Sequence, residues 1–148
     1  MPEPTPAQCR PGALAGELRG AIGVSHRRIR SRRGAADLPD AQFTVLAVLL
    51  REGPLTPGAL ADREHVQPPT MTRTVNTLVD LGFVTKEPHP TDGRLVMVRL
   101  TAAGESEVRE TRRRRDDWLA QQLKKLTAEE RSTLAEAAVL LRRITAAG

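Results

Sequence analysis

The 148-residue chain has no tyrosine, and only two phenylalanines and one tryptophan. Proteins that hold single-stranded nucleic acid stack its bases on aromatic rings, so this composition argues against an RNA or single-strand platform. There is one cysteine, Cys9, which rules out an intrachain disulfide. A redox switch at Cys9 is disfavoured by its place before the first helix, which leaves an incidental thiol. The longest apolar run, Phe43 to Leu50, is broken by Thr44 and falls well short of the roughly 20 residues a membrane-spanning helix needs. The opening MPEPTPAQCRPG lacks the apolar stretch of a secretory signal, so a cytoplasmic location is expected. Enzyme arrangements are also missing. His26, His65 and His89 fall in three different segments without metal-ligand spacing, and His65 beside Glu64 reads as a surface residue. No Gly-rich phosphate loop, activated nucleophile or paired carboxylates can be traced. No enzyme, metal or cofactor is expected.

The chain does carry positive charge. Twenty-three Lys and Arg oppose 18 Asp and Glu, for a net +5, and only three of the 23 are lysine. Arginine presents a planar fork of donors that suits phosphates and base edges. A GC-rich genome would produce the same bias. With stacking platforms disfavoured, duplex DNA is the partner that fits a basic chain of this kind.

The pattern along the chain is helical at both ends. Residues 1–12 read as a Pro-rich flexible arm. Leu14 to Arg33 forms a first helix with Leu14, Leu18, Ile22, Ser25 and Ile29 on one stripe. It ends in a basic cluster that suits a helix C-terminus or DNA phosphates. Asp40 is a candidate N-cap for a buried second helix through Phe43, Leu46 and Leu50. Thr56-Pro57 restarts a short third helix. A fourth runs from Gln67 to Leu81, stopped by Gly82. Met71, Val75 and Leu78 form its apolar face, and Leu81 and Phe83 are expected to help close the core. Its opposite face carries Pro69, Arg73, Asn76 and Asp80, flanked by Thr70 and Thr77. Phe83–Lys86 and Arg94–Leu100 read as two strands, with Asp92-Gly93 as the hairpin signal and Val96, Val98 and Leu100 on one face. A fifth helix reaches Leu126. Its charged run, Arg109 to Asp117, reads as a solvated face, with phosphate contacts or dimer ion pairs as the alternative. Thr127 and Glu130 then form a capping box for a sixth helix to Thr145.

The outer helices carry apolar stripes with little of the middle block to cover. The economical cover is a second copy of the chain. A homodimer is therefore expected, joined through Leu14, Leu18 and Ile22 with Trp118, Leu119, Leu123, Leu134, Leu141 and Ile144. The expected division is a dimerisation helix at 13–37, a DNA-binding lobe at 38–101 and C-terminal dimerisation helices at 102–148.

Four motifs then fall in a particular order. They are Leu55-Thr56-Pro57-Gly58-Ala59-Leu60-Ala61, Pro68 to Arg73 followed by Leu81-Gly82-Phe83-Val84, Asp92-Gly93-Arg94, and Leu100-Thr101 with Gly104. Together they resemble the MarR family (multiple antibiotic resistance regulators) over about Leu14 to Ile144. Gln67 stands where the family's recognition helix usually has a serine cap, and Gly93 where its wing usually has a cation. The resemblance implies a mainly α fold with a small β-hairpin wing, that is, a winged helix-turn-helix lobe plus N- and C-terminal dimerisation helices. It implies a transcription regulator, a repressor, that binds a pseudo-palindromic duplex site as a homodimer. Pro69, Thr70, Thr72, Arg73, Asn76 and Thr77 would face the major groove. His89, Asp92 and Arg94 would form the wing, with Arg94 in the minor groove. A small-molecule effector would sit near Ser25, His26, Ile29, Phe43 and Leu46. The alternative readings are an architectural duplex-DNA-binding protein with little sequence specificity and no effector, and a protein–protein scaffold using the same fold.

Overall fold

The computed structural model describes residues 3–146. The order is α1 (Pro11–Arg30), α2 (Asp40–Glu52), α3 (Pro57–Glu64), α4 (Pro68–Asp80), β1 (Val84–Pro88), β2 (Val96–Leu100), α5 (Ala102–Leu123) and α6 (Ala128–Thr145). The two strands form one antiparallel hairpin, with Val84 opposite Leu100 and Pro88 opposite Val96. A mainly helical chain with a β-hairpin wing is thus the fold that the sequence implied.

Helix boundaries follow local chemistry. α1 begins at Pro11, three residues before the expected Leu14, because proline suits a first helical turn whose N–H groups have no partner. It stops at Arg30 rather than Arg33, where the Ser31 hydroxyl turns back to the Arg28 carbonyl at 2.7 Å. Asp40 is the first residue of α2, not its cap, and Pro39 holds the cap position. The Asp40 carboxylate instead pairs with Arg30 at 3.1 Å. Thr56 caps α3, accepting from the Ala59 N–H at 3.1 Å. Thr127 and Glu130 form the complete capping box of α6. The first strand runs on to Pro88 and the second starts only at Val96, so the connecting loop keeps its expected length but is shifted two residues along the chain. α5 ends at Leu123 rather than Leu126.

The core lies in the middle of the chain. Val45, Leu46, Leu60, Val75, Leu78, Val98 and Val108 are fully buried, joined by Met71 and Val84. Leu81 does not join them and is 49% exposed. At 3.6 residues per turn it lies about 80° round α4 from Met71, off the buried stripe. Gly82, at φ +79°, then turns the chain away, and Phe83 packs half-buried against the core. Val98 is buried, whereas Val96 on the same strand face lies beyond the core and is exposed. A third, single-residue strand appears at Leu55. It exchanges two backbone hydrogen bonds with Val98, at 2.8 and 3.2 Å. Among the described residues, none in α1 or α6 is buried.

Candidate nucleic-acid interface

α3 and α4 are joined by a tight turn. His65 takes a left-handed conformation, φ 52°, and the Val66 N–H closes onto the Ala61 carbonyl at 3.1 Å. The Gln67 side chain makes no capping bond to α4. Pro68 and Pro69 occupy the first turn and bring no N–H groups, so α4 offers few free backbone donors there. What this helix presents outward is side chain.

Met71, Val75 and Leu78 hold one face of α4 in the core. The other face is exposed and holds Pro69, Thr70, Thr72, Arg73, Asn76 and Thr77. Thr72 donates back to the Pro68 carbonyl at 3.0 Å, and Thr77 to the Arg73 carbonyl at 3.0 Å. Thr74 does the same to Thr70 at 3.1 Å. These hydroxyls keep their lone pairs but have committed their protons to the helix. Among the described residues, Arg73 has no ion pair or side-chain hydrogen bond, not even with Asp80 on the same side. Its whole donor fork faces solvent. Asn76 is engaged: its Oδ1 accepts from the Lys86 Nζ on β1.

The hairpin tip is ordered by its own side chains. The His89 Nδ1 accepts from the Thr91 N–H at 3.2 Å and the Asp92 N–H at 3.1 Å, so the ring faces into the turn and leaves only Nε2 outward. The Asp92 carboxylate accepts from the Arg94 backbone N–H at 3.1 Å and from the Arg94 Nε at 3.2 Å. Those two bonds, the backbone one first, hold the Asp92 carboxyl below its ordinary range. The Arg94 side chain is 91% exposed. The tip therefore presents a steered but solvated guanidinium. Below it, Arg99 and Glu87 pair across the strands at 2.8 Å.

The expected effector residues do not come together. Ser25 and Ile29 line a crevice of about 330 Å³ between α1 and α5, with Trp118 and Leu119 on its far wall. His26 lines a separate cleft of about 260 Å³, with Arg27, Arg30 and Asp40. Phe43 and Leu46 lie in the core. They are committed to packing, and Arg115 covers the Phe43 ring.

The expected dimerisation residues are at the surface. Leu14, Ile22, Leu119, Leu134 and Ile144 are exposed, Ile144 by 64%. Leu18, Trp118, Leu123 and Leu141 are half-buried. The charged run of α5 is largely paired within its own helix. Glu110 meets Arg113 at 2.9 Å and Arg114 at 2.8 Å, and Arg113 also reaches Asp117 at 2.8 Å. Hydrogen bonds from Arg113 and then Arg114 bring the Glu110 carboxyl down to about 2. Among the described residues Arg112 and Asp116 make no such pair, and Arg115 turns inward. Lys86 and Arg115 are the two residues of this surface that sequence reasoning passed over. Cys9 is exposed. Among the described residues no three His, Cys, Asp or Glu side chains gather as a metal site, and no helix is long and apolar enough to cross a membrane.

Comparison with known proteins gives a consistent picture. The sequence pattern of the MarR family matches residues 36–95. An HTH-type transcriptional regulator of Mycobacterium tuberculosis (strain CDC 1551 / Oshkosh) is 43% identical over 128 residues, 86% of this chain and 90% of that one. The multiple antibiotic resistance protein MarR of Escherichia coli (strain K12) is 35% identical over 99 residues, 66% of this chain and 69% of that one. The crystal structure of wild-type apo MarR from E. coli superposes with a TM-score of 0.67 at 29% identity, covering 91% of this chain and 96% of that one.

Proposed function

Because the chain belongs to the MarR family of transcription regulators, we propose that it is a repressor that binds a pseudo-palindromic duplex DNA site as a homodimer. A small-molecule effector releases it. The observation that carries this reading is the outward face of α4, where Arg73 keeps its whole donor fork free between exposed Thr70, Asn76 and Thr77. A guanidinium so placed matches the O6 and N7 acceptors of guanine in the major groove. Thr70 suits phosphate oxygens, which fix register without reading sequence, and Thr72 joins it by turning its hydroxyl proton away from the Pro68 carbonyl. Arg94, steered by Asp92 and otherwise solvated, suits the concentrated negative potential of a narrow minor groove. Pro69, Thr77 and the outward edge of His89 complete the proposed surface.

Residues 38–101 are the reading lobe in this proposal. The segments 13–37 and 102–148 bring two lobes together, and the apolar stripes of α1 and α6 are the surfaces a second copy would cover. Two-fold symmetry then calls for half-sites about 34–36 Å apart. Effector binding in the crevice at Ser25, Ile29 and Trp118 would alter the distance between lobes, because it joins the helices on which each lobe is carried. The cytoplasm is the compartment that fits a regulator of this kind.

The test is selection of random duplexes on the purified protein at about 0.15 M salt, with sedimentation to fix the oligomer. A pseudo-palindrome bound by a dimer, with base preference relaxed by Arg73→Ala, is the expected result. Enrichment without a motif would turn the reading to an architectural duplex binder. No salt-dependent binding would overturn both.

A further inference from the structure

We propose that Lys86 is a specificity-determining residue that turns Asn76 into a donor-only reader and steers its base position from adenine to guanine. The inference rests on the reading of α4 as the major-groove helix. It begins with strand geometry. Side chains two apart on a strand share a face. Val84 is buried, so Lys86 lies on the inner face of the hairpin, two residues further out. There the hairpin packs beside α4, and the ammonium emerges next to Asn76. The Lys86 Nζ donates to the Asn76 Oδ1, and among the described residues Lys86 has no carboxylate partner.

The orientation of the carboxamide follows from chemistry. An ammonium has three donors and no acceptor. The Asn76 oxygen must therefore face Lys86, which leaves the amide nitrogen, with its two N–H groups, free to face outward. Asparagine reads adenine by accepting from N6 and donating to N7 at once. Here the accepting atom is already engaged, and the positive charge beside its second lone pair opposes the N6 amino group. Guanine presents N7 and O6, both acceptors. The Asn76 amide and a remaining Lys86 N–H can satisfy both. Arg73, one turn earlier on the same helix face, adds a second cation that favours the same edge.

The experiment is duplex selection and affinity measurement with the full-length wild type and the variants Lys86→Met, Lys86→Arg and Asn76→Ala. Asn76→Ala identifies the base position concerned. In the wild type that position should prefer guanine. Lys86→Met should shift its adenine-to-guanine ratio by about tenfold towards adenine, the order of one good base contact, and leave the rest of the motif unchanged. Lys86→Arg, which keeps the donors, should retain guanine. If Lys86→Met merely weakens all sequences alike and lowers the salt slope by about one, Lys86 is a phosphate contact and the proposal fails. It fails equally if Asn76→Ala alters no position. A wild type that selects no motif overturns the reading of α4 itself, whereas a motif indifferent to Lys86 overturns only this inference.

Discussion

The Arg115 guanidinium lies 4.3 Å from the centre of the Phe43 ring. Its Nε also donates to the Arg32 carbonyl at 3.1 Å, and Asp40 lies 3.9 Å away. One side chain of α5 thus ties the end of α1 to the first turns of α2. The Arg115 side chain is only 15% exposed. Burial lowers its pKa while Asp40 opposes that shift, and a guanidinium remains charged at any working pH.

Arg115→Ala removes a ring contact and a charge-assisted hydrogen bond together. The expected loss is about 1–3 kcal/mol, seen in thermal unfolding as a fall of about 2–4 °C per kcal/mol in a chain of this size. Arg115→Lys keeps the charge but not the planar stack, and should fall between Ala and wild type. Equal loss in the two variants would show that the stack contributes most of the effect, and a Lys variant equal to wild type would assign it to charge alone.

Gly104→Ala tests a close approach. A methyl group at 104 would overlap the Phe83 carbonyl oxygen and sit 2.7 Å from the Leu100 Cδ1. That oxygen already accepts from the Thr101 N–H at 3.0 Å and cannot withdraw freely. Glycine to alanine in a helix ordinarily stabilises by about 1 kcal/mol. Here a loss of about 1–3 kcal/mol is expected. Urea unfolding checks the sign, and any gain in stability would refute the close approach.

Glu110 should titrate near 2 rather than at its ordinary 4.5. A depressed carboxyl contributes its pairing above the ordinary value and loses it as pH falls through the folded value. The Arg113 and Arg114 pairs should therefore survive acidification to pH 4 and be lost only near about pH 2. Carbon-detected NMR titration of the carboxyl group reads this directly. Arg113→Ala combined with Arg114→Ala should return the midpoint towards 4.5, and added salt should move the wild type the same way because the pairs are at the surface.

On the DNA-binding reading, Arg94→Ala should weaken all sequences nearly alike and lower the salt slope by about one. Asp92→Ala keeps the cation but releases its steering, and a smaller loss is expected. Titration of labelled duplex at several salt concentrations separates the two. A loss for Arg94→Ala confined to one base position would reassign that residue to base reading.

Much of the fold was legible because short-range chemistry fixes it. Thr56-Pro57, Gly82 and the Thr127–Glu130 box each set a boundary through bonds to near neighbours. The Leu55 bridge had no such signal, since its partner Val98 is far along the chain. Arg115 was hidden by composition, as the last of four consecutive arginines. Spacing does distinguish it, for it follows buried Val108 and Thr111 at seven and four residues and so continues the inward stripe. Lys86 was equally readable from the alternation that begins at Val84. The outward set on α4 was legible because its apolar stripe fixes the opposite face. The effector set was not, because Phe43 and Leu46 satisfy the core pattern and periodicity cannot tell a pocket wall from packing.

The bare outer helices make the molecule its own reporter of assembly. With no residue of α1 or α6 buried, amides there can exchange with deuterium through local fraying. Amides of α4 beside Val75 and Leu78 exchange only when the whole lobe opens. Whatever comes to cover the outer helices will appear as slowed exchange confined to them, with the α4 rates unchanged. A time course of deuterium uptake at two protein concentrations would then detect self-association without any label or added ligand.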